Sequence, residues 1–332
     1  ACGGIIMLRK IKNKMNLHYL VLIFCITCIF VIMSIQSPFF LTWNNIDVLV
    51  NNFIMEAIMA LGMTMVIISG GIDISISGIL PFIAIIFAKL MLIGVNPWLA
   101  SLIGLVVSGT IGLFNNSLRH VLRLHPMIVT MATQLTLKGL NLAITGGSVL
   151  SKFSRSFTSF TAQRPLGLSI PIWIYILLAV LFVALSKHNR RFIHVFFVGG
   201  SNEASMLSGM KINSIFRMVY VISAILAGLA GILSVTVYNS ASYSFGQGVE
   251  MKVITAVAIG GTSLTHGGEG SITGTLLGTL FMAIVYNAFV MSGISTYYQD
   301  VFTGGMLIVA VLLSEGARAI NKRTNQAKSL IK

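Results

Sequence analysis

Acidic side chains are scarce in this chain: eight Asp and Glu stand against 22 Lys and Arg in 332 residues. Charged residues of both signs reach only 9%, where soluble domains carry roughly 25%. The chain is 56% hydrophobic, with a mean hydropathy of +0.92. No water-soluble fold of this length hides so much apolar surface, so its spans face a lipid bilayer. Catalytic signatures are missing too. There is no GxxxxGK followed by Ser or Thr, so this chain cannot hold ATP in a P-loop. There is no HExxH, and no GxSxG in a strand–turn–helix setting. His18, His120, His125, His188, His194 and His266 are scattered, and no cluster with metal-ligand spacing joins them. The expectation is no catalytic set, no metal and no cofactor.

Cysteine is nearly absent. Cys25 and Cys28 lie inside the apolar run LVLIFCITCIFVIM, where a redox or metal pair would lack polar support, so they read as small membrane-helix residues. Cys2 belongs to ACGGII ahead of Met7, which reads as a foreign leader or misplaced start. The first apolar run follows Arg9, Lys10, Lys12 and Lys14. It is too long for a signal h-region and has no small-residue cleavage site, which makes it an uncleaved span.

What is present is a series of apolar runs. At about 20 residues per crossing, ten candidates emerge: 17–35, 48–68, 75–93, 98–118, 127–145, 169–186, 214–237, 250–264, 271–292 and 299–314. The third and eighth are short or rich in Gly and Ser, so they read as broken or re-entrant. The fold class is an all-α integral membrane protein with eight to ten spans. With the amino terminus inside, cytoplasmic segments hold fifteen Lys and Arg. The outer segments hold three, Lys152, Arg155 and Arg164. That asymmetry places both termini in the cytoplasm. It also explains the net charge of +14 without nucleic acid, for which no aromatic–basic interleaving exists. The organisation is a cytoplasmic segment 1–16, a membrane domain 17–314 and a basic cytoplasmic tail 315–332.

The longest polar island within the membrane domain runs over 187–213. Lys187, Arg190 and Arg191 mark its cytoplasmic side. Gly199 and Gly200 permit a turn, and Ser201 or Asn202 is a candidate N-cap for a helix of about two turns ending at Gly209. Glu203 suits the positive end of that helix. A short capped helix between two spans is a place for a soluble partner to grip; the plainer alternative is a surface loop.

Within the spans, ionisable groups ask for a reason. Asn52 and Glu56 share a face of the second span, and Gln134, Lys138 and Asn141 cluster on the fifth. They form a candidate path for a polar, sugar-sized solute, with Lys138 available to pair with Glu56; structural pairing or snorkelling is the alternative. Lys89, Glu250, Lys252 and Asp300 lie near span ends and read as interfacial. Two glycine-rich interruptions, Gly70-Gly71 with Asp73 and Gly260-Gly261 with Gly267-Gly268, hint at an internal repeat with broken helices near a transport path. Asp73 reads as a helix cap at a cytoplasmic turn. Gly270, Gly274 and Gly278 sit four residues apart on one face, suited to close helix packing inside the subunit or at a dimer seam.

Four stretches together resemble the permease family of bacterial sugar ABC importers, the ribose-type branch: LGMTMVIISGGIDISISG (61–78), VGGSNEASMLSGMKIN (198–213), VITAVAIGGTSLTHGGEGSITGTLLGTL (253–280) and GISTYYQDVFTGGMLIVAVLL (293–313). The resemblance implies a multi-pass protein of the bacterial inner membrane that pairs with a second permease, identical or paralogous. It implies two cytoplasmic ABC ATPase subunits and a periplasmic sugar-binding protein as further partners. It also implies that the segment 201–209 is a coupling helix docking on the ATPase, with Ser201, Asn202, Glu203, Ala204, Ser205, Leu207 and Gly209 at that contact. Departures from the family pattern fall at GIDISISG (71–78), Asn115-Asn116 and His266, which leaves the solute open among sugars and autoinducer-2. The rival readings are a nucleoside permease of the related branch, an ion- or proton-coupled secondary transporter resting on Glu56, Lys138 and Asp73, and a membrane scaffold without transport.

Overall fold

A computed structural model describes residues 2–151, 153, 163–295 and 297–329, with side-chain surroundings from residue 18 to 316. Lys152 and Arg155, the basic side chains of the first sixteen residues and those of the tail beyond 316 lie outside that description.

Among the described residues there are twelve α-helices: α1 (Cys2–Gln36), α2 (Trp43–Ile68), α3 (Ile76–Leu92), α4 (Pro97–Val121), α5 (Pro126–Thr145), α6 (Ile170–His188), α7 (Arg190–Gly200), α8 (Asn202–Leu207), α9 (Ile212–Tyr238), α10 (Val249–Ile259), α11 (Ile272–Met291) and α12 (Tyr297–Ser329). Eight of them are long and apolar enough to cross a membrane. The two other apolar runs, those the sequence marks as short or rich in Gly and Ser, form α3 and α10. α3 has 17 residues and α10 only 11. At 1.5 Å per residue α10 covers about 16 Å, half of a hydrocarbon core about 30 Å thick.

Local chemistry sets the ends. Thr42 caps α2 through its hydroxyl, which accepts from the Asn45 N–H. Asn96 caps α4 by accepting from the Trp98 N–H at 2.9 Å, with Pro97 at the first helical position, where its missing N–H costs nothing. α5 also starts on a proline and ends at Gly146 in the left-handed region.

α2 and α9 form the centre, with 78% and 72% of their apolar windows buried, while the spans in α1 and α12 are 11% buried. The centre is tight because glycines allow backbone contact. Gly112 on α4 lies against the backbone of Tyr220 and Val221, and Gly231 on α9 against the carbonyl of Leu80. α4 runs antiparallel to α9, with Gly104 at Ile232 and Gly112 at Tyr220, and α3 runs parallel to it, with Asp73 at Ser223 and Leu80 at Gly231. A buried reciprocal amide pair, Asn45 with Asn287 at 2.8 and 3.1 Å, ties α2 to α11.

Both short helices begin inside the bundle. After α2 the chain turns at Gly70 and Gly71, and residues 69–75 lead to α3. After α9, Asn239 takes a left-handed turn. A two-residue strand, β2 (Ser240–Ala241), pairs antiparallel with β1 (Leu150–Ser151). The chain then dips back to Gly248, and α10 starts there. Gly246 reaches the first turn of α3, where an added Cβ would lie 3.0 Å from the Ser77 carbonyl. The starts of α3 and α10 thus meet within the protein, and with alternating crossings the two helices run in opposite senses.

Candidate functional site

A cavity of about 140 Å³ lies where these two helix starts meet α5. Its polar lining includes Gln134, Lys138 and Asn141 from α5, and Tyr243, Gln247 and Glu250 from the dip and the first turn of α10. Gln134 is the joint: its amide donates to Ser77 Oγ at 2.9 Å and to Glu250 Oε1 at 3.0 Å. The Asn141 amide donates to the Gly78 carbonyl at 3.4 Å.

The structure therefore brings together three of the five residues expected to line a path. The other two do not line this cavity. Asn52 accepts from the Tyr238 hydroxyl at 2.9 Å. Glu56 pairs with Lys252 at 3.8 Å, and Lys252 also lies 4.7 Å from the centre of the Tyr286 ring. The partner of Glu56 is thus Lys252 and not Lys138. The reading of Glu250 and Lys252 as interfacial residues is corrected too. The dip at 239–248 carries them inside, and their helix starts within the bundle rather than at its rim.

Asp73 sits at the turn before α3, as expected, and it is fully buried there. One carboxylate oxygen accepts from the Ser75 N–H at 3.1 Å and the Ser75 hydroxyl at 2.5 Å. The other accepts from Ser223 Oγ on α9 at 2.8 Å. Asn115 on α4 donates to Ser75 Oγ at 2.9 Å, and Thr133 on α5 donates to Asn115 Oδ1 at 2.6 Å. This network joins four helices at the start of α3. Asp73 was read as a cap, and it does organise the turn before α3. The partners from α4, α5 and α9 carry no local sequence signal.

The glycine-rich turns separate. Gly70, Gly71 and Asp73 mark the first break. Gly260, Gly261, Gly267 and Gly268 do not mark the second, which falls at 239–248. They form the turn between α10 and α11, packed on the end of α7. Gly267 lies against the Gly199 backbone, and the Gly268 N–H donates to the Ile68 carbonyl at 2.7 Å. Gly199 serves this close approach within α7 rather than a turn, since a Cβ there would overlap the Ile68 carbonyl. Gly274 and Gly278 pack on the α10 backbone at Gly260 and Ala256. Gly270 precedes α11 and does not share their helix face.

The polar island folds as α7 and α8. α7 is amphipathic, burying Phe192, Val195 and Val198, and sequence reading missed it as a separate helix. The spacing of those three residues is its signal. Ser201 is the N-cap of α8, accepting from the Ala204 N–H at 3.2 Å. Glu203 lies in the first turn, and Gly209 closes the unit in the left-handed region. Ser205 is buried, and Asn202, Glu203, Ala204 and Leu207 are exposed. Leu207 is 87% exposed and Met206 64%, an apolar tip on a polar knob.

A bundle of membrane-crossing helices, two broken helices meeting at a polar cavity and a capped knob at one end define a multi-pass transport permease. The chain belongs to the family described as branched-chain amino acid transport system / permease component, whose model matches residues 45–311. It is 35% identical to the ribose import permease protein RbsC of Escherichia coli K12 over 289 residues, covering 85% of this chain and 89% of that one. It is 33% identical to the D-allose transport system permease protein AlsC of the same strain over 281 residues, covering 84% and 86%. The L-arabinose ABC transporter permease protein AraH of Azospirillum brasilense is 30% identical over 303 residues, covering 91% and 88%. No solved structure matches the chain.

Proposed function

We propose that this chain is the membrane subunit of an ATP-driven importer that carries a sugar or sugar-like solute from the periplasm to the cytoplasm by alternating access. It works in the bacterial inner membrane with a second permease subunit, cytoplasmic ABC ATPases and a periplasmic sugar-binding protein. The observation that carries this reading is the pairing of an exposed knob, α8, with a polar cavity elsewhere in the same bundle. The names of the relatives, import permeases for ribose, allose and arabinose, support the solute class.

The knob and the cavity are joined by contiguous structure. α9 begins five residues after α8 ends. Ser223 on α9 holds Asp73, Asp73 orders the start of α3, and Ser77 and Gly78 of that start line the cavity. Ser201, Asn202, Glu203, Ala204, Leu207 and Gly209 offer the ATPase a contact surface, with Ser205 anchoring it. A push on α8 displaces α9 against α3 and α2, which rocks the helices on either side of the cavity. Gln134, Lys138 and Asn141 stand on the solute's path; Asn52 and Glu56 stand beside it and hold α2 to α9 and α10.

The test is a charge reversal at the knob. In the assembled importer, Glu203→Lys with Leu207→Glu is expected to cut uptake at least tenfold while the ATPase subunits still hydrolyse ATP. Unchanged uptake refutes the docking role of α8. Uptake that survives ATP depletion but fails when the proton gradient collapses favours a secondary transporter instead.

A further inference from the structure

α9 presents two hydroxyls to the turn before α3, and only one of them has a partner among the described residues. Ser223 Oγ donates to the Asp73 carboxylate at 2.8 Å. Tyr220 stands three residues earlier, a spacing that puts both on one helix face. Its side chain is buried, and its hydroxyl has no hydrogen-bond partner among the described residues. That hydroxyl lies on Gly71, where an added Cβ would sit 2.6 Å from it. Asp73 is two residues further along the turn. A buried hydroxyl without a partner is uncommon in folded proteins and costly to maintain. Phenylalanine would fill the same space without that cost.

We infer that Tyr220 is a positioning residue of the transport cycle: its hydroxyl is the second donor of a two-position latch, and it takes the Asp73 carboxylate from Ser223 when α9 moves outward. The inference rests on the transport reading above and deepens it. The ladder of contacts sets the direction. Tyr220 lies beside Gly71, Ser223 beside Asp73 and Gly231 beside Leu80, so α9 and the segment leading into α3 run side by side in the same sense. Sliding α9 toward its outer end carries Tyr220 from Gly71 toward Asp73 and carries Ser223 past it. Packed helices exchange partners through shifts of about 1 to 2 Å and, in larger steps, of one turn. A push on α8 acts in that direction, because α9 starts at the same end of the bundle. The carboxylate accepts in either position, while Ser75 stays on its other oxygen. Ser223, once released, can donate to a carbonyl of the preceding turn of its own helix, which the tyrosine hydroxyl is too far from its own backbone to do. The joint between knob and cavity thus has two discrete settings.

The test pairs uptake by the complete importer in proteoliposomes, with radiolabelled D-ribose, D-allose and L-arabinose, with unfolding of the purified chain by SDS from mixed micelles. Tyr220→Phe removes only the hydroxyl. Its unfolding midpoint is expected to match or exceed the wild-type value, because that hydroxyl bonds nothing in the resting protein. Its uptake is expected to fall about tenfold or more, as loss of a hydrogen bond to a charged group implies, in a chain that still assembles with its ATPase subunits. Ser223→Ala removes the other donor and is expected to show the reverse order: the lower midpoint of the two variants and the higher uptake. A merely structural role moves both readouts the same way. If Tyr220→Phe lowers the midpoint below wild type, or no longer assembles, the hydroxyl holds the resting protein and the inference is overturned. Wild-type uptake by Tyr220→Phe overturns the inference alone. A wild-type importer that carries none of the three sugars overturns the transport reading, and the inference with it.

Discussion

Replacing Asp73 tests the internal joint between α9 and the broken helix α3. Its carboxylate accepts three hydrogen bonds, from the Ser75 N–H, the Ser75 hydroxyl and Ser223 Oγ. Asp73→Ala removes all three acceptors at a fully buried position. Hydrogen bonds between membrane helices average about 0.6 kcal/mol and reach about 1.7 kcal/mol. Three bonds then give a loss of about 2 to 5 kcal/mol, taking that range as the per-bond scale. Asp73→Asn keeps an oxygen for Ser75 and turns a nitrogen toward Ser223, whose hydroxyl can accept instead of donate. Its expected cost is about 1 kcal/mol or less, the scale of one modest bond. Equilibrium unfolding by SDS titration from mixed micelles, followed by circular dichroism, measures both. Ser223→Ala is expected to fall between them. If Asp73→Ala costs no more than Asp73→Asn, the network does not hold the start of α3, and the mechanical link from knob to cavity fails.

Glycine substitutions separate backbone contact from open space. Gly231→Ala places a methyl on the Leu80 carbonyl and is expected to cost about 1 to 3 kcal/mol in the same titration. Gly139→Ala meets nothing within 4 Å and is expected to be neutral or to stabilise α5 by up to about 1 kcal/mol. Asn45→Ala and Asn287→Ala are expected to be non-additive, with a coupling of about 0.5 to 2 kcal/mol in a double-mutant cycle, because each amide serves the other. Lys252→Met alone is expected to destabilise more than Lys252→Met with Glu56→Gln, since the single change strands a carboxylate inside the bundle. Equal effects in unfolding would show that the stranded carboxylate carries no penalty.

Sequence reading found what short-range chemistry encodes. Apolar length marked the crossings, shortness or Gly and Ser in the third and eighth runs flagged the short helices, and Ser201, Glu203 and Gly209 carried the signature of α8. The trio Gln134, Lys138 and Asn141 was legible because polar groups at helical spacing in a span are conspicuous. The second break was not. Residues 239–248 merely separate two apolar runs in the sequence, and Asn239, Gly246 and Gly248 in left-handed conformations turn the segment inward. Without that dip, Glu250 and Lys252 looked interfacial and Glu56 lacked its partner. The wider network around Asp73 was hidden for a similar reason: Ser223, Asn115 and Thr133 come from distant segments that only packing brings together. The glycines at 260–268 misled because close backbone approach and helix interruption call for the same residue.

The central claim is that α8 faces the cytoplasm and is the part that an ATPase subunit grips. A single cysteine at Leu207, in a chain with Cys2, Cys25 and Cys28 replaced by Ser, reports this most directly through a membrane-impermeant maleimide. The account predicts labelling in inside-out vesicles, none in intact spheroplasts, and protection when the ATPase subunits are bound. Labelling from the outer face of intact spheroplasts, or no protection by the ATPase, contradicts it.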